Sequence, residues 1–433
     1  SSALLGRFLR ALGGEPRIYI PDRIFEGYGP NPAAIDALAD DGATLIVTVD
    51  CGVTSFEALE RARARGVDVV VLDHHQVGET LPPAVAIVNP NRADDLSGEG
   101  HLAAVGVSFL AAVAVNRELR RRGFFSGRAE PDLLALLDLV ALGTVADVVP
   151  LRGGNRAFVV KGLVPLRHRV NPGLAALQDV SRLTGPAAPY HLGFLLGPRI
   201  NAGGRIGDAA LGARLLMCDD PDEAAAIALR LDQLNAERQA IEAETLAAAD
   251  AEAAAEIGER LGPSVLVTVG ADWHPGVVGL VASRLKDRWR RPTFAIAMAG
   301  ETGTGSGRSI PGVDLGRAVR EAVAAGILEK GGGHAMAAGV TVRRGALIEF
   351  RAFLEERLGA DVAASRSRDA LKIDGAMTAA GANLDFMATI ERAGPYGAGH
   401  PEPVFAFPAH RVAFADRVGQ NHIRLSLSSS TGA

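Results

Sequence analysis

Cysteine, tryptophan, tyrosine and lysine are all scarce in this chain of 433 residues. Its two thiols, Cys51 and Cys218, are too few for a disulfide framework or a cysteine-only zinc site, so a reducing, cytoplasmic compartment is the default expectation. Long apolar runs are missing as well. The longest uncharged apolar stretch, residues 102–115, is too short to span a bilayer and contains Gly106 and Ser108; it reads as a buried helix, and no membrane partner is expected. A basic surplus is absent too: with a formal net charge of −5, the total does not announce a nucleic-acid binder. The few lysines are Lys161, Lys286, Lys330 and Lys372, so nearly all positive charge is arginine. Genome base composition explains that most simply, although arginine also suits bidentate phosphate contacts. The chain shows neither an initiator Met nor a targeting signal.

What is present describes a globular chain. Hydrophobic residues make up 48%, charged residues 22% and mean hydropathy is +0.15, which excludes a disordered or fibrous protein; the length predicts two or three domains. An amphipathic helical pattern at the start is followed by an expected strand at 17–20, a helix at 33–39, the strand TLIVTV (44–49), the helix SFEALERARARG and the strand VDVVVL (67–72). Short β-branched runs alternating with helices predict a parallel α/β sheet. A chain entering such a sheet on a helix is expected to be a fragment lacking its first strand.

Residues 219–260 differ from the rest: rich in Ala and Glu, without Gly before Gly258 or Pro after Pro221, they predict one long connector helix. Twelve acids against three arginines give this segment a net of −9, so the remainder carries +4. A second α/β unit follows from Pro263. After it come short strands and turns that look all-β and incomplete. The expected units are therefore 1–217, a connector at 218–261, 262–362 and 363–433.

In open α/β sheets, functional groups collect beyond the carboxyl ends of the strands. Asp50 follows TLIVTV, and Asp73, His74 and His75 follow VDVVVL; Asp147, in LLDLVALGTVADVVPL, adds a carboxylate. Carboxylates with imidazole form a mixed O/N donor set that suits Mn²⁺ or Mg²⁺. The bland readings are a helix cap for Asp50 and a strand-end turn for the two histidines.

These residues lie in blocks that resemble the DHH superfamily of phosphoesterases, and within it the single-strand-specific 5′ to 3′ exonucleases. The blocks are IPDRIFEGYGPN (20–31), TVDCG (48–52), LDHHQ (72–76), GTVADVVPL (143–151), GPRINAGGRIG (197–207), LNAERQAIE (234–242), WHPGVVGLVASRL (273–285), SGRS (306–309), GGGHAMAAG (331–339) and PEPVF (401–405). The resemblance covers essentially the whole chain. It implies a parallel-sheet DHH domain at 1–217, a DHHA1 domain at 262–362 that holds nucleic acid, and a partial oligonucleotide-binding barrel at 363–433. It also implies two divalent cations, Mn²⁺ or Mg²⁺, that activate water for in-line attack on a phosphodiester. Carried over by position, Asp50, His74 and Asp147 are metal ligands, Asp73 orients an imidazole, and His75 contacts the scissile phosphate. The family's first motif, an Asp-x-Asp pair, is absent from the chain, which implies two missing ligands and an impaired fragment.

The same resemblance marks candidates for DNA contact. Gly332, Gly333 and His334 let backbone and one imidazole approach phosphate, the bland reading being a loop before a strand. Ser306, Arg308 and Ser309, beside Gly303, Gly305 and Gly307, are candidates for backbone or 5′-phosphate contact. Arg23 is another candidate, with an ion pair to Glu26 as its alternative. Arg199, Asn201 and Arg205 are expected in a glycine-punctuated loop that could line a groove. Trp273 with His274 could stack a base, against a core role for the tryptophan. His400 stands where the family usually has Asn. The expected function is exonucleolysis of single-stranded DNA in repair and recombination, with a helicase and a single-strand-binding protein as partners. The alternatives are a phosphodiesterase of the same superfamily acting on short oligonucleotides or cyclic dinucleotides, and a non-catalytic DNA-binding scaffold.

Overall fold

In the computed structural model, residues 1–22, 26–258, 262–368, 370–419 and 422–429 are described. The N-terminal unit runs α1 (Ser2–Ala11), α2 (Pro32–Asp40), β1 (Leu45–Val49), α3 (Phe56–Ala64), β2 (Asp68–Leu72), β3 (Ala86–Val88) and α4 (Ala104–Arg121). It continues with α5 (Leu137–Ala146), α6 (Gly153–Arg167), α7 (Pro172–Val180), the single turn α8 (Pro189–His191), α9 (Gly197–Ile206) and α10 (Leu211–Met217). Residues 17–20, expected as a strand, form none; they are flanked by Pro16 and Pro21, neither of which can donate to a ladder.

Strands β1, β2 and β3 form one parallel sheet in that order. Its register pairs Val49 with Leu72 and Leu72 with Val88, so the next residues, Asp50, Asp73 and Asn89, stand in a row along the carboxyl edge. Local capping fixes the elements around them: Asn31 Oδ1 accepts from Ala34 N at 2.8 Å with Pro32 opening α2, a cap of about 1 kcal/mol. Behind the edge, α5 and α6 meet closely at Gly162 of α6. A Cβ on Gly162 would lie 2.0 Å from the Leu137 carbonyl oxygen and 2.6 Å from Ala141 Cβ. This contact seats α5 in the main core, which holds Val140, Leu142, Leu163 and Leu166.

Helix α11 (Pro221–Ile257) is the expected connector. Asp220 caps it, accepting from Asp222 N and Glu223 N at 2.9 Å, and Gly258 ends it at φ 53°. It is less polar all round than its composition implied: Ala224, Ile227, Ala228, Leu231, Leu234, Thr245, Ala249 and Ala253 form one buried stripe with helical spacing. The stripe packs on α7 and α9 first, then on α12 and β4 of the next unit. At mid-length Asn235, Arg238 and Glu242 interrupt it, Arg238 bonding both of the others, so the buried charge is paired.

The second unit comprises β4 (Leu266–Gly270), α12 (Pro275–Trp289), β5 (Thr293–Ala299), β6 (Thr302–Arg308), α13 (Leu315–Ala324), β7 (Lys330–His334), β8 (Ala337–Arg343) and α14 (Leu347–Ser367). Its sheet is mixed, in the order β4-β5-β6-β8-β7, with only β4 and β5 parallel. The glycine-rich stretch is strand β6, and its glycines face the core. Gly303, Gly305 and Gly307 stand opposite Met298, Ile296 and Phe294, whose side chains occupy the space a Cβ would need at 2.3, 2.7 and 2.4 Å. The triple glycine is likewise a strand, β7, at the sheet edge. Helix α14 carries the second core as far as Val362 and runs on to Ser367, so the boundary expected at 362 falls inside a helix.

The last segment holds β9 (Gly375–Ala376), α15 (Leu384–Ala393), β10 (Phe405–Ala406), β11 (His410–Val418) and β12 (His422–Ser429). It is not all-β: Asn383 caps α15 by accepting from Phe386 N at 3.0 Å. The strands form two separate pairs, and no closed barrel is made among the described residues.

Candidate metal centre

Asp50 leaves β1 with a left-handed backbone, φ 61°, unusual for a residue with a side chain. Its N–H donates to Leu72 O at 3.0 Å, and the Tyr28 hydroxyl donates to its carbonyl. Asp73, one strand over, is 1% exposed. Its Oδ2 accepts from Val53 N at 3.1 Å; its Oδ1 accepts from His74 N at 2.8 Å, His75 N at 3.2 Å and His75 Nδ1 at 2.7 Å. Burial pushes this carboxyl's pKa up, but the His75 imidazole and the backbone donors outweigh it, and the net shift is downward. The same bond raises the pKa of His75, against a smaller opposing effect of burial. With Nδ1 held by Asp73, the ring presents Nε2.

His74 is held the same way by a different acceptor. Its Nδ1 lies 2.9 Å from Leu102 O, and its Nε2 points between Asp50 Oδ1 at 3.3 Å and Asp147 Oδ2 at 3.4 Å. Burial opposes the charged ring, but the two carboxylates prevail and carry its pKa up to about 9. Asp147, just after α5, is pushed up to about 6, first by burial and then by the charge of Asp50, with His74 acting the other way.

Donor atoms of Asp50, His74 and His75 lie within 4.8 Å of one another, and Asp50 Oδ1 is buried without a well-aligned hydrogen bond. Two carboxylates crowded on one imidazole nitrogen, one of them with an unsatisfied oxygen, form a donor set that fits a hard or borderline divalent cation. The Cys51 thiol lies apart from this donor set, directed to Val49 O at 3.3 Å, and burial pushes it up to about 12.

Several supporting residues were not legible as functional. Asn89 Nδ2 donates to His75 O at 2.9 Å, and Asn91 Nδ2 donates to His74 O at 2.6 Å, so the VNPN turn after β3 fixes the histidine backbone. The signal was there in asparagines at a turn, but β3 is only three residues long. Tyr28 also sets its ring edge-on to His75, with centroids 6.0 Å apart.

Of the DNA-contact candidates, the fold brings His334 to this centre: its ring is stacked on that of His75 at 6.0 Å and 20°. Gly332 has open space where a Cβ would be, whereas Gly333 is packed, its Cβ position lying 2.3 Å from Ala337 O. Ser306 and Arg308 sit against Gly279 of α12; Arg308 donates to Ser306 Oγ at 2.9 Å, and among the described residues no carboxylate pairs with it. Five candidates have other work. Ser309 is turned inward, its hydroxyl donating to Val313 O at 2.7 Å. Arg199 bonds Asp232 and Leu195 O, both at 2.8 Å, and so fastens α9 to α11. Trp273 joins an apolar cluster with Leu246 and Val278 and covers Gly270. His274 caps α12, its Nδ1 accepting from Gly276 N at 3.0 Å. The residues expected in a glycine-punctuated loop stand on helix α9 instead: Arg205 donates to Gly276 O at 3.0 Å, joining the two units, and Asn201 is exposed. Arg23 lies outside the described residues.

Profiles of known families match in the order the fold presents. The DHH family N-terminal domain matches residues 1–144, the DHHA1 domain 262–360 and the RecJ OB domain 373–432. The single-stranded-DNA-specific exonuclease RecJ of Dickeya dadantii is 40% identical over 442 residues, covering 100% of this chain and 76% of that protein. The chain belongs to the RecJ family. RecJ of Escherichia coli is 39% identical, again with 76% of its length covered. RecJ of Thermus thermophilus, solved in complex with Mn²⁺, superposes with a TM-score of 0.79 at 32% identity, covering 98% of this chain and 60% of that one. An exonuclease RecJ bound to manganese superposes at 0.66 with 36% identity, over 85% of this chain and 87% of that one. The chain thus spans about three quarters of these curated RecJ relatives and 60% of the Thermus structure. Like them it is mixed α/β, with DHH, DHHA1 and partial OB-type units; among the described residues no helix is long and apolar enough to cross a membrane.

Proposed function

We propose that this chain carries the catalytic body of a divalent-metal-dependent exonuclease that hydrolyses single-stranded DNA from its 5′ end, in DNA repair and recombination. The observation that carries the reading is the convergence of Asp50, His74 and Asp147 on one point, with His75 and His334 beside it. Asp50, His74 and Asp147 would hold Mn²⁺ or Mg²⁺, the class of ion in the Thermus relative. A divalent cation there supplies neutralising charge for a phosphodiester and a more acidic water. The protein's own contribution is orientation. Asp73 holds His75 with Nε2 outward and favours its protonated form, which donates a hydrogen bond to a non-bridging phosphate oxygen as charge builds there. His334 supplies a second imidazole from the DHHA1 unit.

Ser306 offers a hydroxyl, and Arg308 a guanidinium that no carboxylate pairs with among the described residues, to a terminal phosphate, and the bare backbone at Gly332 lets a strand approach closely. Outside α11 the chain is mildly basic, as a polyanion track requires. A helicase and a single-strand-binding protein would supply such a substrate, in the cytoplasm. The test compares 5′-labelled with 3′-labelled single strands in Mn²⁺. Early release of labelled mononucleotide from the 5′-labelled strand alone is expected; faster cleavage of a dinucleotide than of a long strand would overturn the reading.

A further inference from the structure

Asp147 begins a short loop to α6, and the last segment of the chain is fastened to that loop. Leu151 N donates to Ala398 O at 2.8 Å. Beside it the glycines of PYGAGHP make side-chain-free contact: a Cβ on Gly397 would lie 2.7 Å from Leu151 Cδ1, and one on Gly399 would lie 2.8 Å from Pro150 Cβ. Arg156, in the first turn of α6, then reaches across to the end of α15. Its guanidinium donates to Ala393 O at 2.5 Å, Gly394 O at 2.6 Å and Pro395 O at 3.2 Å. These are carbonyls at and just beyond a helix C-terminus, where backbone acceptors lack intrahelical partners and the helix dipole favours a cation. His400 adds Nε2 to Ala393 O at 3.1 Å and stacks on Tyr396.

Asn155, next to Arg156, is buried and reaches two backbone carbonyls near the metal centre. Its Nδ2 donates to Pro150 O at 3.0 Å and to His101 O at 2.6 Å. Pro150 lies in the loop that carries Asp147; His101 precedes Leu102, whose carbonyl holds His74 Nδ1. One turn of α6 therefore grips the third segment with Arg156 and the supports of two ligand side chains with Asn155.

We infer that Arg156 is a positioning residue for the metal centre: by clamping the 393–399 turn onto the 147–152 loop, it makes docking of the third segment part of what holds Asp147 in place. The third segment is then a structural member of the metal centre as well as a nucleic-acid module. The inference rests on the metal-ligand reading proposed above.

The test titrates the full chain with Mn²⁺ alone by calorimetry, without DNA, for wild type, Arg156→Ala, Arg156→Lys and Gly399→Val. Arg156→Ala is expected to weaken Mn²⁺ binding about tenfold, as removal of a ligand's support commonly does. Arg156→Lys should recover part of the loss, since an ammonium still donates to carbonyls. Gly399→Val leaves Arg156 intact and pushes the turn off Pro150; it should match Arg156→Ala, and it decides the question if Arg156→Ala does not fold. Wild-type affinity in the folded variants would overturn the clamp and leave the metal site standing. Failure of wild type to bind Mn²⁺ would overturn the metal-site reading and the inference with it.

Discussion

The imidazoles of His75 and His334 lie face to face, 6.0 Å between centroids and 20° between planes, although one follows β2 of the first unit and the other ends β7 of the second. Each unit thus contributes one ring to a common cleft. Replacing His334 by Ala should lower kcat on single-stranded DNA about a hundredfold, within the range of a positioned acid–base group. Mn²⁺ affinity should not change, because His334 does not join the donor cluster; steady-state kinetics and metal titration together check both halves.

Asp73 accepts four hydrogen bonds and has no use for a donor. In Asp73→Asn an amide NH₂ must face N–H groups in a buried site, at a cost of about 2–4 kcal/mol in urea denaturation. The wild-type carboxyl has its pKa lowered by folding, so its contribution is present above the unfolded value of 3.8 and is lost as pH falls through the lower folded one. The stability gap between the two proteins should therefore narrow in acid.

Protons and metal compete at His74. Its raised pKa, about 9, means that the metal-free fold gains from protonation fully below about 6.5 and loses that gain as pH rises through about 9. Between pH 6.5 and 8.5 the metal-free centre holds this proton while Asp147, with its pKa near 6, is largely ionised. Metal binding should release about one proton, and affinity should rise about tenfold per pH unit over that window. Calorimetry in two buffers of different ionisation enthalpy measures the release directly.

Gly162 is where α5 and α6 touch. Gly162→Ala should cost about 3 kcal/mol, because the new methyl meets a backbone carbonyl that cannot move without shifting α5. Loss of Mn²⁺ affinity should accompany it, since Asp147 directly follows that helix; urea midpoint and metal titration are the readouts.

Much of the candidate centre was legible because strand ends are easy to locate. The apolar runs before Asp50 and before Asp73 placed both carboxylates at one edge, and the register of β1 against β2 accounts for their alignment. The glycine patterns were harder. Gly303, Gly305 and Gly307 had no reading of their own beside the phosphate-contact candidates Ser306, Arg308 and Ser309; their purpose is to admit Met298, Ile296 and Phe294 from the neighbouring strand, a pairing visible only in three dimensions. Trp273, Arg199 and Ser309 showed the same limit, because a side chain's chemistry does not reveal whether a fold partner has already claimed it. Asn89, Asn91 and Asn155 escaped notice since what they hold is backbone, and backbone has no letter in a sequence.

Helix α11 also sets a mechanical tolerance. At 37 residues it is about 55 Å long, and a bend of about ten degrees at its middle would swing the far half by roughly 5 Å at the tip. Displacement on that scale approaches the spacing between the two facing imidazoles, so the cleft can only be as well aligned as this rod is straight. The bonded trio of Asn235, Arg238 and Glu242 sits near the midpoint, where a lever of this kind is most sensitive to a kink.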